Sequence, residues 1–180
     1  MSNERIQRLL KVLRDAMELE RRGHAFYLEA AEVTKAPRGK STFLTLARDE
    51  LEHLKYLDEA FRAVLRDGTL PRLPVPSNAV LGASPKRPEI FASPKDVAKE
   101  IKATTGERDA LKRGIEAEED SIALYSQALA LAKTEEEKLI FGSLVTVEQG
   151  HLTILQGEYD YVNNTGFWMG HQEFSMESFG

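Results

Sequence analysis

Two short stretches constrain this chain more than anything else in it: Glu50-Leu51-Glu52-His53 and Glu148-Gln149-Gly150-His151. Residues three apart on a helix share a face, so each Glu-x-x-His presents a carboxylate and an imidazole in one direction. Both stretches lie inside long amphipathic patterns, at positions where the helical stripe asks for an apolar side chain. A fold that buries those faces must bring the ionisable groups to a compensating charge, because an isolated buried carboxylate is prohibitively costly.

The surrounding sequence supplies four long helices. From Asn3 to about Thr34, Leu9, Leu13, Ala16, Gly23, Tyr27 and Ala31 recur at spacings of three, four or seven, and Glu20 falls on that stripe. Ala36-Pro37-Arg38-Gly39 is expected to break the helix. A second helix, capped at Ser41 or a neighbour, carries Phe43, Leu46, Leu57, Ala60 and Val64 on one face until Asp67-Gly68. Glu50 and His53 lie mid-face, whereas Asp49, Glu52 and Glu59 are expected off it.

A third helix is predicted from about Glu107 to Lys133, with Glu118 on the stripe of Leu111, Gly114, Tyr125, Ala128 and Ala132, and Ser121 one turn later. Thr134 and Glu137 make a capping box for a fourth, whose seam of Phe141, Leu144, Leu155 and Val162 is interrupted by Glu148 and His151.

Between the halves, from Thr69 to Ser93, the texture changes, and six of the seven prolines lie between Pro71 and Pro94. Leu70, Leu73, Val75, Val80, Leu81, Ile90 and Phe91 can anchor this stretch, so it reads as a long crossover, about residues 68–106, and not as a disordered linker. Ser93-Pro94 starts a short helix to about Ala103. A crossover of this length lets the second and third helices run parallel. The bundle is expected over residues 1–162. The tail, 163–180, with Phe167, Trp168, Met169, His171, Phe174, Met176 and Phe179, is too apolar to float in water and is expected to pack on the bundle or on a partner subunit.

Composition narrows the chemistry. The sequence has no cysteine, which removes disulfides, thiolate zinc sites and iron–sulfur or rubredoxin-type iron sites. A net charge of -5 argues against a nucleic-acid binder. Neither a secretory leader nor a membrane-spanning run is present, and the cytoplasm is the expected location.

The halves also repeat each other. Glu18-Leu19-Glu20 through Tyr27-Leu28 matches Glu116-Ala117-Glu118 through Tyr125-Ser126, with Tyr seven residues after the inward Glu in both, and each is followed by a helix carrying Glu-x-x-His. Glu20, Glu50, His53, Glu118, Glu148 and His151 are therefore the candidate metal ligands. Four carboxylates and two neutral imidazoles balance two dications. By the two-fold relation Glu50 and Glu148 bridge the ions, Glu20 and Glu118 are terminal, and His53 and His151 each cap one. Oxygen and imidazole ligands suit two iron ions, and the same set accepts manganese or zinc.

Tyr27 and Tyr125 are placed either to donate phenolic hydrogen bonds to a ligand carboxylate on the opposite helix or to serve as core aromatics with a satisfied hydroxyl. His24, one turn after Glu20, is placed either to approach the site or, the preferred reading, to be a partly buried histidine with an ordinary partner, and His171 reads as structural or surface.

Over roughly residues 3 to 162 the chain resembles the rubrerythrin group of the ferritin-like superfamily, through Glu20 with Tyr27, Glu50-Leu51-Glu52-His53, Glu118 with Tyr125, and Glu148-Gln149-Gly150-His151. The resemblance implies an all-α ferritin-like four-helix bundle, often a homodimer, with a carboxylate-bridged di-iron centre that reacts with peroxide or dioxygen. Two departures stand out. Those proteins receive electrons through a four-cysteine iron site, so here the reductant must be an external electron donor. They also carry a further Glu one turn after the third helix's ligand, where this sequence has Ser121, and Glu119 points off the face. An oxidoreductase, an iron-binding and iron-oxidising protein, and a bundle whose metal mainly stabilises the fold all remain open.

Overall fold

A computed structural model describes residues 3–74 and 104–170. They form α1 (Asn3–Val33), α2 (Pro37–Asp67), α3 (Thr105–Leu131) and α4 (Glu135–Thr165), and the described residues contain no strand. A helix of 31 residues is about 46 Å long. α1 packs along α2 and α3 along α4, each pair joined by a three-residue connection.

The direction of each helix follows from which residues meet. Tyr125 of α3 reaches Glu20 of α1, and Tyr27 of α1 reaches Glu118 of α3, so the two helices run antiparallel. His53 meets Glu148 while Asp49 and Glu50 meet His151, which makes α2 and α4 antiparallel as well. With α1 and α2 a hairpin, α2 and α3 run parallel, as a long crossover permits. All-α four-helix packing is the expected class.

Local signals explain the helix ends, with three corrections. Pro37 does not separate two helices by a loop; it is the first residue of α2, after Ala36 in an extended conformation, and no side chain caps the end. The ring fixes a helical φ and removes an N–H that would have no partner there, so Pro37 starts the helix it was expected only to interrupt. α3 begins earlier than Glu107, because Thr104 caps it and Glu107 is the N3 partner of a complete capping box, and it stops at Leu131, two residues short of Lys133. α4 has the expected box of Thr134 and Glu137 and runs to Thr165. Gly68 (φ 69°) and Gly166 (φ 80°) end α2 and α4 in the left-handed region that glycine enters without strain.

The core is in two pieces. One cluster gathers Leu13, Leu57, Val64, Phe141, Leu144 and Tyr125, among others. The second gathers Phe43, Leu46, Leu111, Leu155, Val162 and Tyr27. Each named residue of one has its counterpart in the other 98 positions away, as Glu20 has in Glu118, so the pseudo-two-fold exchanges the clusters. Leu70 and Leu73 pack on the first cluster, as expected for the start of the crossover. Val75, Val80, Leu81, Ile90, Phe91 and the short helix expected from Pro94 to Ala103 lie outside the described residues, as do His171, Phe174, Met176 and Phe179.

The described start of the tail packs on the bundle. Trp168 is buried edge-on against Phe43, with ring centroids 5.5 Å apart. Its indole occupies the space a Cβ on Gly39 would need, so glycine at 39 is required by this close approach. The buried Glu158 carboxylate accepts the backbone N–H groups of Met169 (3.0 Å) and Gly170 (2.8 Å), and a hydroxyl hydrogen bond from Thr42 (3.2 Å).

Candidate metal centre

Midway along the bundle, between the two apolar clusters, Glu20, Glu50, His53, Glu118, Glu148 and His151 are all buried, none more than 4% exposed. Each helix contributes at the level its sequence predicts: Glu20 from α1, Glu50 and His53 from α2, Glu118 from α3, Glu148 and His151 from α4. They form two overlapping groups whose ligand atoms lie within 4.8 Å of one another: Glu20, Glu50, His53 and Glu148, and Glu50, Glu118, Glu148 and His151. Glu50 and Glu148 belong to both, which is the position of a bridge.

Both imidazoles turn Nδ1 into the cluster. His53 Nδ1 lies 3.1 Å from Glu148 and 3.3 Å from Glu20, and His151 Nδ1 lies 3.1 Å from Glu148, 3.5 Å from Glu50 and 3.7 Å from Glu118. The rings stack with centroids 5.5 Å apart. Tyr27 donates its hydroxyl to Glu118 and Tyr125 donates to Glu20, each across to the opposite helix. The phenols are thus hydrogen-bond donors to the cluster as well as core aromatics.

Without a cation the cluster settles its charge with protons. Burial, and then the Glu50 carboxylate, push Glu20 up to about 8. Burial and the charges of Glu148 and Glu50 raise Glu118 well above the carboxylate range. Burial also opposes ionisation of Glu148, but the His53 charge and hydrogen bonds from both imidazoles outweigh it and hold Glu148 at about 2. Burial and Glu148 would raise Glu50, yet hydrogen bonds with Glu20 and both histidines leave it lowered. Burial disfavours the imidazolium of His53 and of His151, and the surrounding carboxylates overcome it, so both are raised well above the ordinary histidine value. Tyr27 and Tyr125, raised by burial and by the carboxylates they serve, stay neutral donors. Two protonated and two ionised carboxylates beside two imidazoliums sum to zero. Four carboxylates and two neutral imidazoles around two dications sum to zero as well.

The donor set fits metal ions better than protons. Glu118 Oε2 is buried without a hydrogen-bond partner, and Glu148 Oε1 meets only His53 Nδ1, at 3.1 Å, whereas buried carboxylate oxygens are ordinarily well satisfied. Carboxylate oxygens so sparsely partnered, in groups whose ligand atoms lie within 4.8 Å of one another, are what a bound cation would use.

Asp49 is a correction. It was expected off the face, but it is buried, and its Oδ2 lies 3.5 Å from His151 Nε2, the ring nitrogen turned away from the cluster. Burial would raise its carboxyl; His151 first, and then Arg48, hold it below its usual value. The helical stripe is wide enough at this level to bury a residue beside Glu50, which the narrow seam drawn from the leucines did not allow. An Asp directly preceding the Glu of a Glu-x-x-His was the available signal. The counterpart of Asp49 on α4 is Val147, so the pseudo-two-fold is broken there. Glu52 and Glu119 are exposed, as expected. His24 Nδ1 contacts the Ala47 carbonyl oxygen at 2.6 Å, the ordinary partner its position suggested. Ser121 is buried, with its hydroxyl donating back to the Ala117 carbonyl of its own helix at 3.1 Å.

Comparison with known proteins places this arrangement. The family model described as Rubrerythrin matches residues 11–159. Among solved structures, a hypothetical protein from Pyrococcus furiosus is similar, with a TM-score of 0.64 and 24% identity over 89% of this chain and 93% of that one, a likeness of fold. No curated protein gives a significant match.

Proposed function

The chain belongs to the rubrerythrin family, and we propose that it binds two iron ions through Glu20, Glu50, His53, Glu118, Glu148 and His151 and reduces peroxide. The observation that carries this reading is the pair of overlapping four-ligand groups sharing Glu50 and Glu148. A reduced iron pair held there would supply the two electrons that, with two protons, convert a peroxide R–O–OH to R–OH and water.

The chain's own residues set the conditions for that chemistry. Tyr27 and Tyr125 hold the terminal carboxylates by donated hydrogen bonds. The Asp49 carboxylate, 3.5 Å from the outward nitrogen of His151, draws that nitrogen away from the cluster and favours Nδ1 facing it. The apolar clusters above and below keep bulk water from either end. Since the sequence has no cysteine for an iron relay, this reading requires an external electron donor, and a homodimer in the cytoplasm is part of it.

A second reading, ferrous ion binding and oxidation for iron handling, uses the same ligands and is favoured by that same lack of a relay. Stopped-flow absorbance of the anaerobically iron-loaded, reduced protein separates them. Oxidation at least tenfold faster with hydrogen peroxide than with air-saturated buffer is expected. Faster reaction with dioxygen, with further ferrous ion taken up and oxidised in repeated cycles, would give the protein to iron handling.

A further inference from the structure

Between α1 and α3 a groove of about 320 Å³ leads from the protein surface to the cluster. Its mouth carries the exposed Arg22, Arg113 and Asp120, and its floor is formed by the buried Glu50 and Glu118. Leu19, Phe26, Tyr27 and Ala117 make the walls largely apolar. The Arg113 guanidinium lies 5.1 Å over the Phe26 ring, which holds its charge at the rim, so that apolar side walls stand between the charged mouth and the carboxylate floor.

Two small residues open the groove at the level of the carboxylates. Gly23 of α1 and Ser121 of α3 stand at equivalent positions, each three residues after its helix's inward Glu, and both line the groove. A Cβ on Gly23 would sit 3.3 Å from Glu50 Cδ, closer than ordinary contact. Ser121 does not project across the gap, because its hydroxyl is folded onto Ala117. Hydrogen peroxide needs far less room than this: a water molecule occupies about 30 Å³, and small-molecule pockets begin at about 300 Å³.

We infer that the groove admits organic hydroperoxides, in which R is a single-ring aryl or branched alkyl group. R rests on Leu19, Phe26 and Ala117, and the O–OH end points toward Glu50 and Glu118. The inference rests on the peroxide-reducing reading for its chemistry, and the balance is the same: the O–O bond breaks with two electrons and two protons, giving R–OH and water. For binding it rests only on the groove.

The test has two parts that fail separately. Binding of cumyl alcohol, the unreactive product, to the wild-type protein is read by saturation-transfer NMR. A transfer signal is expected, reduced at least fivefold in Ala117→Phe or Ser121→Leu, both chosen to fill the groove. No signal with the wild-type protein would overturn the inference. In stopped flow, the ratio of cumene hydroperoxide to hydrogen peroxide rate constants is expected to fall at least tenfold in either variant that retains wild-type circular dichroism and iron content. An unchanged ratio in such a variant would overturn the inference while leaving peroxide reduction intact. Cumyl alcohol binding by a protein whose reduced iron no peroxide oxidises would uphold the groove and refute the redox reading.

Discussion

Loading the centre with metal should release about four protons for every two ions bound. Glu20 and Glu118 hold protons near neutrality, and His53 and His151 are cationic, so four groups must deprotonate before the six ligands are all in their binding forms. All four are raised in the folded protein, so the protons are present below those raised values and compete with metal as pH falls. Each displaced proton changes the apparent affinity about tenfold per pH unit, about 1.4 kcal/mol. With two protons per ion, affinity should fall about a hundredfold for each unit below neutrality, and Glu20's share should vanish above about 8. The same shifts act on the metal-free fold: Glu20 keeps its proton to about 8, whereas the unfolded chain releases it near 4.5, so stability drops across that window by up to about 1.4 kcal/mol per pH unit from this group alone. The histidines act in the same direction, contributing stability below the ordinary histidine value and losing it as pH rises through their raised values. Calorimetric titration with zinc in buffers of different ionisation enthalpy counts the protons, and urea melts of the metal-free protein at pH 6 and 9 follow the stability. Release of one proton or fewer per two ions, or a metal-free protein more stable at pH 9 than at pH 6, would refute the proton accounting.

Three further outcomes follow from particular residues. Glu50→Ala or Glu148→Ala removes a group common to both sites and should lose both metals, whereas Glu52→Ala, next to His53 in sequence but exposed on the outer side of its helix, should keep full metal content by elemental analysis. Asp49→Ala should weaken the ion on the His151 side by about 10–100-fold and leave the other nearer its original affinity, turning a single zinc-binding transition into two. Trp168→Ala should cost about 3–5 kcal/mol in urea unfolding, since it empties a buried site against Phe43, and Gly39→Ala should destabilise by displacing the same indole.

The four helices and the six inward candidate ligands were legible because each helix is long, and a carboxylate or imidazole on an apolar stripe contradicts the pattern around it. Glu20, Glu50, His53, Glu118, Glu148 and His151 are all conspicuous for that reason. Tyr27 and Tyr125 were legible as candidates through their repeat spacing, but only the antiparallel crossing of α1 and α3 gives each its carboxylate on the opposite helix. Asp49 was not, because one residue's rotation around a helix separates solvent from interior and periodicity resolves burial no more finely than that. Thr104 with Glu107 is a capping box of the same kind as Thr134 with Glu137, but it follows directly on the proline-rich stretch, where no apolar stripe marks the helix start. The groove was invisible for a different cause: Gly23 and Ser121 are unremarkable singly, and only the approach of two helices distant in sequence puts them on either side of one opening.

The exchange of the two apolar clusters under the 98-residue repeat has a consequence for what this chain is free to vary. A symmetric pair of identical hairpins would meet the same ligand demand, but whatever stood beside one histidine would stand beside the other. Joining the hairpins in one polypeptide lifts that obligation. Asp49 can stand beside His151 without being copied at its counterpart position, which is Val147, and Gly23 can be paired with Ser121 instead of with itself. The covalent link thus turns a cluster with one kind of candidate metal position into a cluster with two, each open to separate tuning.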